Sequence, residues 1–178
     1  MIELAPNLTL IPIQENNAEL VLPLMTRCYP PVYAHMWQDE SSWYLNNTYH
    51  REQVLCDAQR QDAPYYLVKW KEDYAGILWY KMHDQSPDFP EVPAFKLQRI
   101  YLHPDTHGNG IGRAIMDYVS DKARTLGKDL IWLEAMDTQL TAHMFYKKMG
   151  YRPTGFYQLD FTRMYPNYRG MVRMSKML

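Results

Sequence analysis

The residues best suited to chemistry in this chain form a glycine loop at positions 107–113, which reads H-G-N-G-I-G-R. A β-branched and aromatic run precedes the loop, and apolar residues at helical spacing follow it. Glycines let backbone N–H groups approach a ligand, and the N-terminus of a helix adds positive dipole. The sequence therefore predicts an anion site where a strand ends in a loop that opens a helix.

Spacing excludes other uses of this loop. A dinucleotide-binding G-x-G-x-x-G that begins at Gly108 would need glycine at the position of Arg113. The phosphate-binding string G-x-x-x-x-G-K-[ST] does not occur. His103 and His107 are four positions apart, but Pro104 and the glycines prevent the helix that would align them on a metal. We expect no metal at this site.

Length and composition bound the rest of the molecule. A chain of 178 residues fits one domain, residues 1–178. The net charge of −1 argues against a nucleic-acid partner, which usually selects a basic surface. No apolar run approaches the length of a membrane span, so no membrane partner and a cytoplasmic location are expected. Cys28 and Cys56 lack paired spacing and are interpreted as buried thiols.

The elements that must position the loop follow the order β-α-α-β-β-β-α-β-α-β-β. The predicted strands are 8–13, 65–70, 74–82, 94–103, 130–136, 154–161 and 170–177. Asn17 is expected to cap a first helix that breaks at Pro30-Pro31, and Ser41 or Ser42 a second that runs to about Arg60. Further helices are predicted over 111–126 and about 138–149, with Asp137 or Thr138 as the last cap. The pattern indicates an α/β domain, a mixed sheet flanked by helices.

The glycine loop resembles the acetyl-CoA signature [QR]-x-x-G-x-[GA] of the GNAT (Gcn5-related) N-acetyltransferases, with His107 in the first position. Downstream, W-L-E-A-M-D-T-Q-L-T-A-H-M-F-Y-K-K-M-G-Y resembles the later family motif N-x-x-A-x-x-F-Y-x-K-x-G-[FY]. The element order agrees with that fold over essentially the whole chain. The strings R-I-Y-L, I-W-L and F-Y-K-K-M-G-Y look most like the bacterial branch that contains spermidine and diamine acetyltransferases.

The resemblance implies a mostly antiparallel central sheet that holds acetyl-CoA in a splay between central strands. Loop amides would cradle the pyrophosphate, and strand backbone would pair with the pantetheine arm. The implied cofactor-binding residues are Ile100, Tyr101, Leu102, His107, Gly108, Asn109, Gly110, Ile111, Gly112, Arg113, Gln139 and Ala142. Arg113 is equally well explained as a solvated residue, and Gln139 stands where the family motif usually has asparagine.

The implied reaction is direct attack of an amine on the thioester in a ternary complex. Tyr146 stands where the family carries its proposed general acid, and a phenol with a pKa near ~10 can donate a proton at neutral pH. Packing in a helix stripe is the alternative for Tyr146. The general base is open, because Gln98 replaces the glutamate common in this branch. Glu134 is one candidate, although a paired structural charge is as good an interpretation, and a water chain is another.

The acceptor is predicted only by class, as a primary amine of a small molecule, polyamine-like or other. A protein N-terminus or lysine is an alternative, as is a non-catalytic CoA-binding regulatory module. Aromatic residues of the first two helices either wall the acceptor pocket or pack in the core: Tyr29, Tyr33, Trp37, Trp43, Tyr44 and Tyr49. Asp84, Asp88 and Glu91 either attract a cationic amine or form a solvated loop face. Tyr165 and Tyr168 suggest a homodimer.

Overall fold

The computed structural model describes all residues, 1–178, as eight strands and six α-helices. The strands are β1 Ile2–Ala5, β2 Leu8–Pro12, β3 Tyr65–Trp70, β4 Asp73–Lys81, β5 Ala94–Leu102, β6 Leu130–Met136, β7 Arg152–Gln158 and β8 Gly170–Met177. The helices are α1 Val21–Cys28, α2 Pro30–Tyr33, α3 Ser42–Tyr49, α4 Arg51–Ala58, α5 Ile111–Thr125 and α6 Leu140–Lys148.

One sheet has the strand order β1-β2-β3-β4-β5-β6-β8-β7. Strands β5 and β6 run parallel, whereas β1–β2, β2–β3, β3–β4, β6–β8 and β7–β8 are antiparallel pairs. The predicted α/β class with a mixed, mostly antiparallel sheet is therefore confirmed. None of the helices is both long enough and apolar enough to cross a bilayer.

The chain divides into two compact units, which are described separately. The N-terminal unit comprises residues 1–80 and 99–115, and the C-terminal unit comprises residues 81–98 and 116–178. The organisation as a single domain over residues 1–178 stays a prediction.

The N-terminal unit is built on an antiparallel meander of β1 to β4. Its register places Leu10 opposite Val68 and Val68 opposite Gly76. Helix α1 buries side chains at helical spacing, which gives it one apolar face: Val21, Leu24, Met25 and Cys28. Strand β1 was missed by the sequence analysis, although Ile2 pairs with Leu10.

The predicted helix over 41–60 is instead two helices, α3 and α4, which break at His50. The backbone of His50 is extended, with ψ of 152°, and its ring nitrogen accepts the N–H of Gln53 at 3.4 Å. Ser41 does not cap α3, because it lies in the left-handed region at φ 74° without a side-chain cap. Asp39 accepts the N–H of Trp43 at 2.9 Å, so the side chain that caps the start of α3 is an aspartate and not one of the two serines.

The predicted cap at Asn17 was also wrong. Its side-chain oxygen accepts the N–H of Gln14 at 2.8 Å, and its amide donates to the carbonyl of Pro12 at 3.0 Å. Asn17 thus closes the turn that leaves β2. Helix α1 does end before Pro30, but that proline opens α2, since proline at the first helical position loses no intrahelical hydrogen bond. Of the two cysteines, Cys28 is buried and Cys56 is exposed, which corrects the expectation for Cys56.

The C-terminal unit has its core where β6 lies between β5 and β8. Residues 130–133 of β6 are all buried. Gly127 and Gly150 follow α5 and α6 with positive φ of 65° and 92°, as expected for residues that end helices. Helix α6 begins after Gln139 without a side-chain cap, so neither Asp137 nor Thr138 has the predicted capping role. The last two strands form the predicted pair, with β7 at 152–158 rather than 154–161.

Candidate functional site

The glycine loop lies between β5 and α5, where the sequence predicted it. Gly108 and Gly110 adopt left-handed backbone, with φ of 81° and 76°. A β-carbon at either position would meet no atom within 4 Å, so backbone conformation and not crowding requires glycine here. Thr106 and Asn109 hold the turn, since the Thr106 hydroxyl donates to His103 O at 2.6 Å and the Asn109 side chain to Thr106 O at 3.2 Å.

The loop leads directly into the first turn of α5, a helix of 15 residues. The first backbone bond of this turn is donated by Ala114 to the carbonyl of Gly110 at 3.0 Å. Within the loop, the N–H of His107 donates to Pro104 O at 3.0 Å and that of Asn109 to Thr106 O at 3.4 Å, so the donors left for a ligand lie at Gly108, Gly110 and Ile111. Residues 107–110 are exposed. The loop therefore presents backbone donors and a helix dipole to solvent, the arrangement that binds a phosphate.

Strand β5 changes its pairing at Leu97. The parallel ladder with β6 runs from Ala94 opposite Leu130 to Leu97 opposite Leu133, and Gln98 does not continue it. Residues 98–102 are only half-buried although β5 is an inner strand of the sheet. Backbone groups of this segment, which includes the predicted Ile100–Leu102, are thus available to pair with an extended ligand.

Gly76 of β4 was missed by the sequence analysis. A β-carbon on Gly76 would collide with the backbone carbonyl of Tyr101, so only glycine allows the two backbones to lie this close. Nearby, the N–H of His103 donates to Ala75 O at 2.7 Å. The available signal was an isolated glycine within a predicted strand, which often marks a close backbone approach.

The aromatic residues of the first helices form a stacked cluster around Tyr29. Its ring centroid lies 4.5 Å from that of Tyr33, 4.9 Å from Tyr44 and 5.5 Å from Tyr101 of β5. Tyr44 also stacks on Trp37 at 5.1 Å. Tyr29 and Trp37 are buried, whereas Tyr33, Tyr44 and Tyr101 keep part of their surface exposed. The cluster is therefore packed at Tyr29 and Trp37 and partly exposed at Tyr33, Tyr44 and Tyr101, and its role as a wall of the acceptor pocket stays a prediction.

A charged residue lies inside this cluster, and the sequence analysis missed it. The guanidinium carbon of Arg99 lies 4.8 Å from the ring centroid of Trp79 and 5.3 Å from that of Tyr49. Its nearest carboxylate is Asp57, at 3.8 Å from Nη1. The two side chains are 17% and 15% exposed. Three buried polar atoms here have no hydrogen-bond partner, Arg99 Nη1 and the hydroxyls of Tyr49 and Tyr65.

Burial determines the protonation of these phenols. Burial and, to a smaller extent, the neighbouring Tyr44 raise the pKa of Tyr33 to about 12. Burial likewise raises the pKa of Tyr49 and Tyr65, while the charge of Arg99 acts in the opposite direction. Burial alone would lower the pKa of Arg99, but the surrounding phenol oxygens outweigh it and the pKa is raised. At neutral pH the cluster thus contains a cation among protonated phenols.

The later motif lies on α6 in the C-terminal unit. Gln139 is the residue before the helix, and Ala142 and Tyr146 are half-buried on it. The ring of Tyr146 lies 5.5 Å from that of Phe145 and 6.0 Å from that of Tyr151. Tyr146 is thus a partly buried tyrosine that packs beside the rings of Phe145 and Tyr151.

Glu134 forms an ion pair with Lys96, with 2.8 Å between Oε2 and Nζ. The ammonium of Lys96 also lies 4.1 Å from the ring centroid of Trp132. Burial and then the charge of Glu134 raise the pKa of Tyr157. Glu134 is therefore a paired charge, the second of its two interpretations. Gln98, in contrast to the paired Glu134, has a buried side-chain oxygen, Oε1, without a hydrogen-bond partner.

The acids of the loop over 83–93 were predicted either to attract a cationic amine or to form a solvated face, and Asp88 does not lie on a solvated face. Both its carboxylate oxygens accept from Arg173, at 2.8 and 2.9 Å, and Thr154 donates to one of them at 3.0 Å. Asp84 pairs with Lys81 at 3.1 Å. The acids of this loop are thus largely occupied by the chain's own cations.

A separate groove of about 500 Å³ lies on the N-terminal unit. It is lined by the ends of β2 and β3, by α4 and by adjoining residues, and it contains no predicted site residue: Pro12, Ile13, Gln14, Glu15, Leu55, Ala58, Gln59, Arg60, Pro64, Tyr65 and Tyr66.

Comparison with known proteins decides the family. The sequence profile of the acetyltransferase (GNAT) family matches residues 19–151, more than half of the chain. The chain belongs to this family. The resemblance to this family that the glycine loop and the later motif indicate is thereby confirmed.

Solved structures agree on the fold. The PaiA N-acetyltransferase of Thermoplasma acidophilum, in complex with coenzyme A, is 15% identical, covers 96% of this chain and 99% of its own, and has a TM-score of 0.73. The spermidine N-acetyltransferase SpeG of Vibrio cholerae is 16% identical with coverages of 97% and 95% and a TM-score of 0.67. At these identities the likeness shows the fold.

A curated relative is an uncharacterized N-acetyltransferase encoded in the pepI 3′ region of Lactobacillus delbrueckii subsp. lactis. It is 20% identical over 112 residues, which is 63% of this chain. The match spans 65% of that relative, slightly less than two thirds of its length.

Proposed function

We propose that the protein transfers the acetyl group of acetyl-CoA to a primary amine of a small molecule. The observation that carries this proposal is the glycine loop, whose left-handed Gly108 and Gly110 lead into the exposed first turn of α5. The N–H groups of Gly108, Gly110 and Ile111 fit a pyrophosphate without needing a basic side chain. A coenzyme A complex of the same fold supports acetyl-CoA as the cosubstrate.

The donor contacts follow the order of the motifs. Loop residues 107–113 would hold the pyrophosphate, and the backbone of Ile100–Leu102 would pair with the pantetheine arm beyond the point where the β6 ladder stops. The resemblance also implies cofactor contacts from Gln139 and Ala142, at the start of α6, and these stay predictions. Bound acetyl-CoA supplies an activated acetyl thioester, which an uncharged amine attacks directly.

Proton transfer in this proposal depends on Tyr146 and on water. The Tyr146 phenol donates a proton to the departing thiolate, because a tyrosine is protonated at neutral pH. Glu134 is engaged by Lys96 at 2.8 Å and Gln98 cannot titrate, so neither is assigned as the base. The amine instead loses its proton to a water chain that leads to solvent.

The variant Tyr146→Phe tests this mechanism. Removal of a general acid is expected to lower kcat about 100-fold. The affinity for acetyl-CoA should hardly change, because the loop and β5 provide the binding. Free thiol release measures turnover, and calorimetry measures binding. The exposed Tyr165→Phe is a matched control that loses a phenol elsewhere and keeps full activity.

Two outcomes would contradict parts of the proposal. Unchanged turnover in Tyr146→Phe would remove this residue from the mechanism. Tight CoA binding without thiol release over small amines, N-terminal peptides and lysine peptides would favour the non-catalytic CoA-binding module. Release with the peptides alone would favour a protein acceptor. The homodimer, the cytoplasmic location and the spermidine and diamine branch stay predictions.

A further inference from the structure

The feature that goes beyond acetyl transfer is the incompletely paired guanidinium of Arg99. A guanidinium has five N–H donors in a fixed fork that matches a carboxylate. Here the nearest carboxylate oxygen, on Asp57, is 3.8 Å from Nη1, too far for a hydrogen bond. Nη1 is buried without a partner, so the 17% of the side chain that reaches solvent lies on its other atoms. A buried donor that is left unpaired is costly, so a functional reason is expected.

The position of Arg99 places it beside the proposed donor site. It precedes the segment Ile100–Leu102 directly, and Tyr101 of that segment packs against Tyr29 and Tyr33 of the same cluster. Two residues along a strand span about 7 Å, so a small acceptor can reach both Arg99 and the end of the pantetheine arm. The half-exposed rings of Tyr33 and Tyr101 form the open side of this cluster.

The cluster does not suit a polyamine, although it is rich in tyrosine. Aromatic faces attract cations, but the cation against these rings is already Arg99, at 4.8 Å from Trp79 and 5.3 Å from Tyr49. Asp57 is the one carboxylate paired with Arg99, and one of its oxygens also accepts from Gln53 at 3.0 Å. A second ammonium would thus lie next to a guanidinium in a poorly solvated site, where like charges repel strongly.

We propose that Arg99 binds a carboxylate of the acceptor, so that the substrate is a small amine that also carries a carboxylate. This inference rests on the proposed function and names its substrate class. The carboxylate completes the hydrogen bonds of the guanidinium, and the aromatic rings contact the carbon chain between the two ends. Tyr49 and Tyr65 are protonated at neutral pH, so they add no negative charge that would repel the carboxylate.

The test is a matched amine panel with the full-length protein and acetyl-CoA, read by free thiol release. Each ω-amino acid from glycine to 6-aminohexanoate is compared with its own amide and with the diamine of equal length. Phosphoethanolamine is included because a phosphate could occupy an arginine site too. A site built to pair a buried donor rejects analogues that lack the acceptor, so kcat/KM should favour one carboxylate at least about 100-fold over its amide.

The double variant Arg99→Gln with Asp57→Asn removes both charges and leaves no buried ion without its partner. It should lose the preference for the carboxylate, through a rise in KM, and keep its slow turnover of the amide. Arg124→Gln is the control, because this exposed arginine pairs only with Asp121 on α5, and its loss should leave the preference intact.

Failure of this inference differs from failure of acetyl transfer. Thiol release that is equal for carboxylates, amides and diamines, or best with phosphoethanolamine, overturns the carboxylate assignment while the enzyme stands. A preference that survives in the double variant overturns it as well. If no amine is turned over, thermal unfolding with CoA and each amine replaces the assay. Stabilisation by a carboxylate in the parent but not in the double variant supports the Arg99 site, and its absence overturns it.

Discussion

Two arginine–aspartate pairs, one in each unit, differ in how fully the guanidinium is hydrogen-bonded. Arg173 donates to both oxygens of Asp88, at 2.9 and 2.8 Å. Arg99 lies 3.8 Å from Asp57, and its Nη1 has no hydrogen-bond partner. The exposed fractions are similar, 19% and 14% in the first pair and 17% and 15% in the second. The exposed fraction of the side chains alone therefore does not explain the difference, although loss of hydration acts more strongly on Arg99 than on Arg173.

The difference separates a structural ion pair from a recognition site. The closed pair, Arg173–Asp88, connects β8 to the loop over 83–93, and Thr154 of β7 adds a third bond. Its two parallel hydrogen bonds compensate for the loss of hydration, so the pair should contribute to the free energy of unfolding. The open pair, Arg99–Asp57, leaves donors that a ligand can satisfy. Its net effect should fall on acceptor binding.

The largest effect is expected from breaking the closed pair. Arg173→Gln leaves Asp88 partly buried without its cation, and the expected loss in the free energy of unfolding is about 2–3 kcal/mol. Arg99→Gln should cost about 1 kcal/mol, because its pair is longer and lacks the hydrogen bonds. Urea unfolding at pH 7 measures both, and the amine panel should give unchanged selectivity for the folded Arg173 variant.

Equal losses in the two variants would break the comparison, since the open pair would then be as structural as the closed one. A change of acceptor preference in Arg173→Gln would also contradict it. The measure is the ratio of kcat/KM for the amide to kcat/KM for the carboxylate, compared with the ratio in the parent protein.

A smaller effect is expected from substitution of each arginine by lysine, which tests whether the side chain acts through its charge or through the geometry of its hydrogen bonds. Lysine keeps the charge of arginine but cannot offer two parallel N–H bonds to a carboxylate. Arg99→Lys is therefore expected to raise KM for the carboxylate acceptor about tenfold with kcat nearly constant. Arg173→Lys should lower stability by about 1 kcal/mol and leave KM unchanged. An Arg99→Lys enzyme with unaltered KM would show that charge alone selects the acceptor.

Local pattern was enough to predict most strands and the glycine loop. Adjacent residues were sufficient for three features: the aromatic and β-branched run of 65–70, the apolar run of 130–133 and the glycines after α5 and α6. The boundary at His50 was not predictable this way, because the 41–60 segment has helical composition on both sides of it. Asp39, which caps α3, was missed since the serines next to the helix offered a more usual signal.

The open arginine pair illustrates what sequence could not supply. Arg99 and Asp57 are separated by 42 positions, and only tertiary packing of α4 against β5 brings them to 3.8 Å. The same holds for Asp88 and Arg173, 85 positions apart, which turned a predicted solvated loop into an anchored one. The aromatic residues were named from the sequence, but the cation that lies among them was not. That cation is Arg99, the first residue of the R-I-Y-L string, and it was therefore interpreted as part of the family motif.

The smallest expected effect is the titration of the closed pair. The hydrogen bond from Arg173 lowers the pKa of Asp88 below its usual value. A carboxyl whose pKa is lower in the folded state stabilises the protein above the unfolded pKa of about 3.9, and this contribution is lost as pH falls through the folded pKa. Parent and Asp88→Asn should therefore differ in urea midpoint by a constant amount from pH 7 to 5, and by progressively less below about pH 4. Asparagine cannot titrate, so the narrowing comes from the parent. A difference that stayed constant down to pH 3, or grew, would mean that Asp88 is not held ionised by Arg173, and the distinction between the closed and the open pair would lose its physical basis.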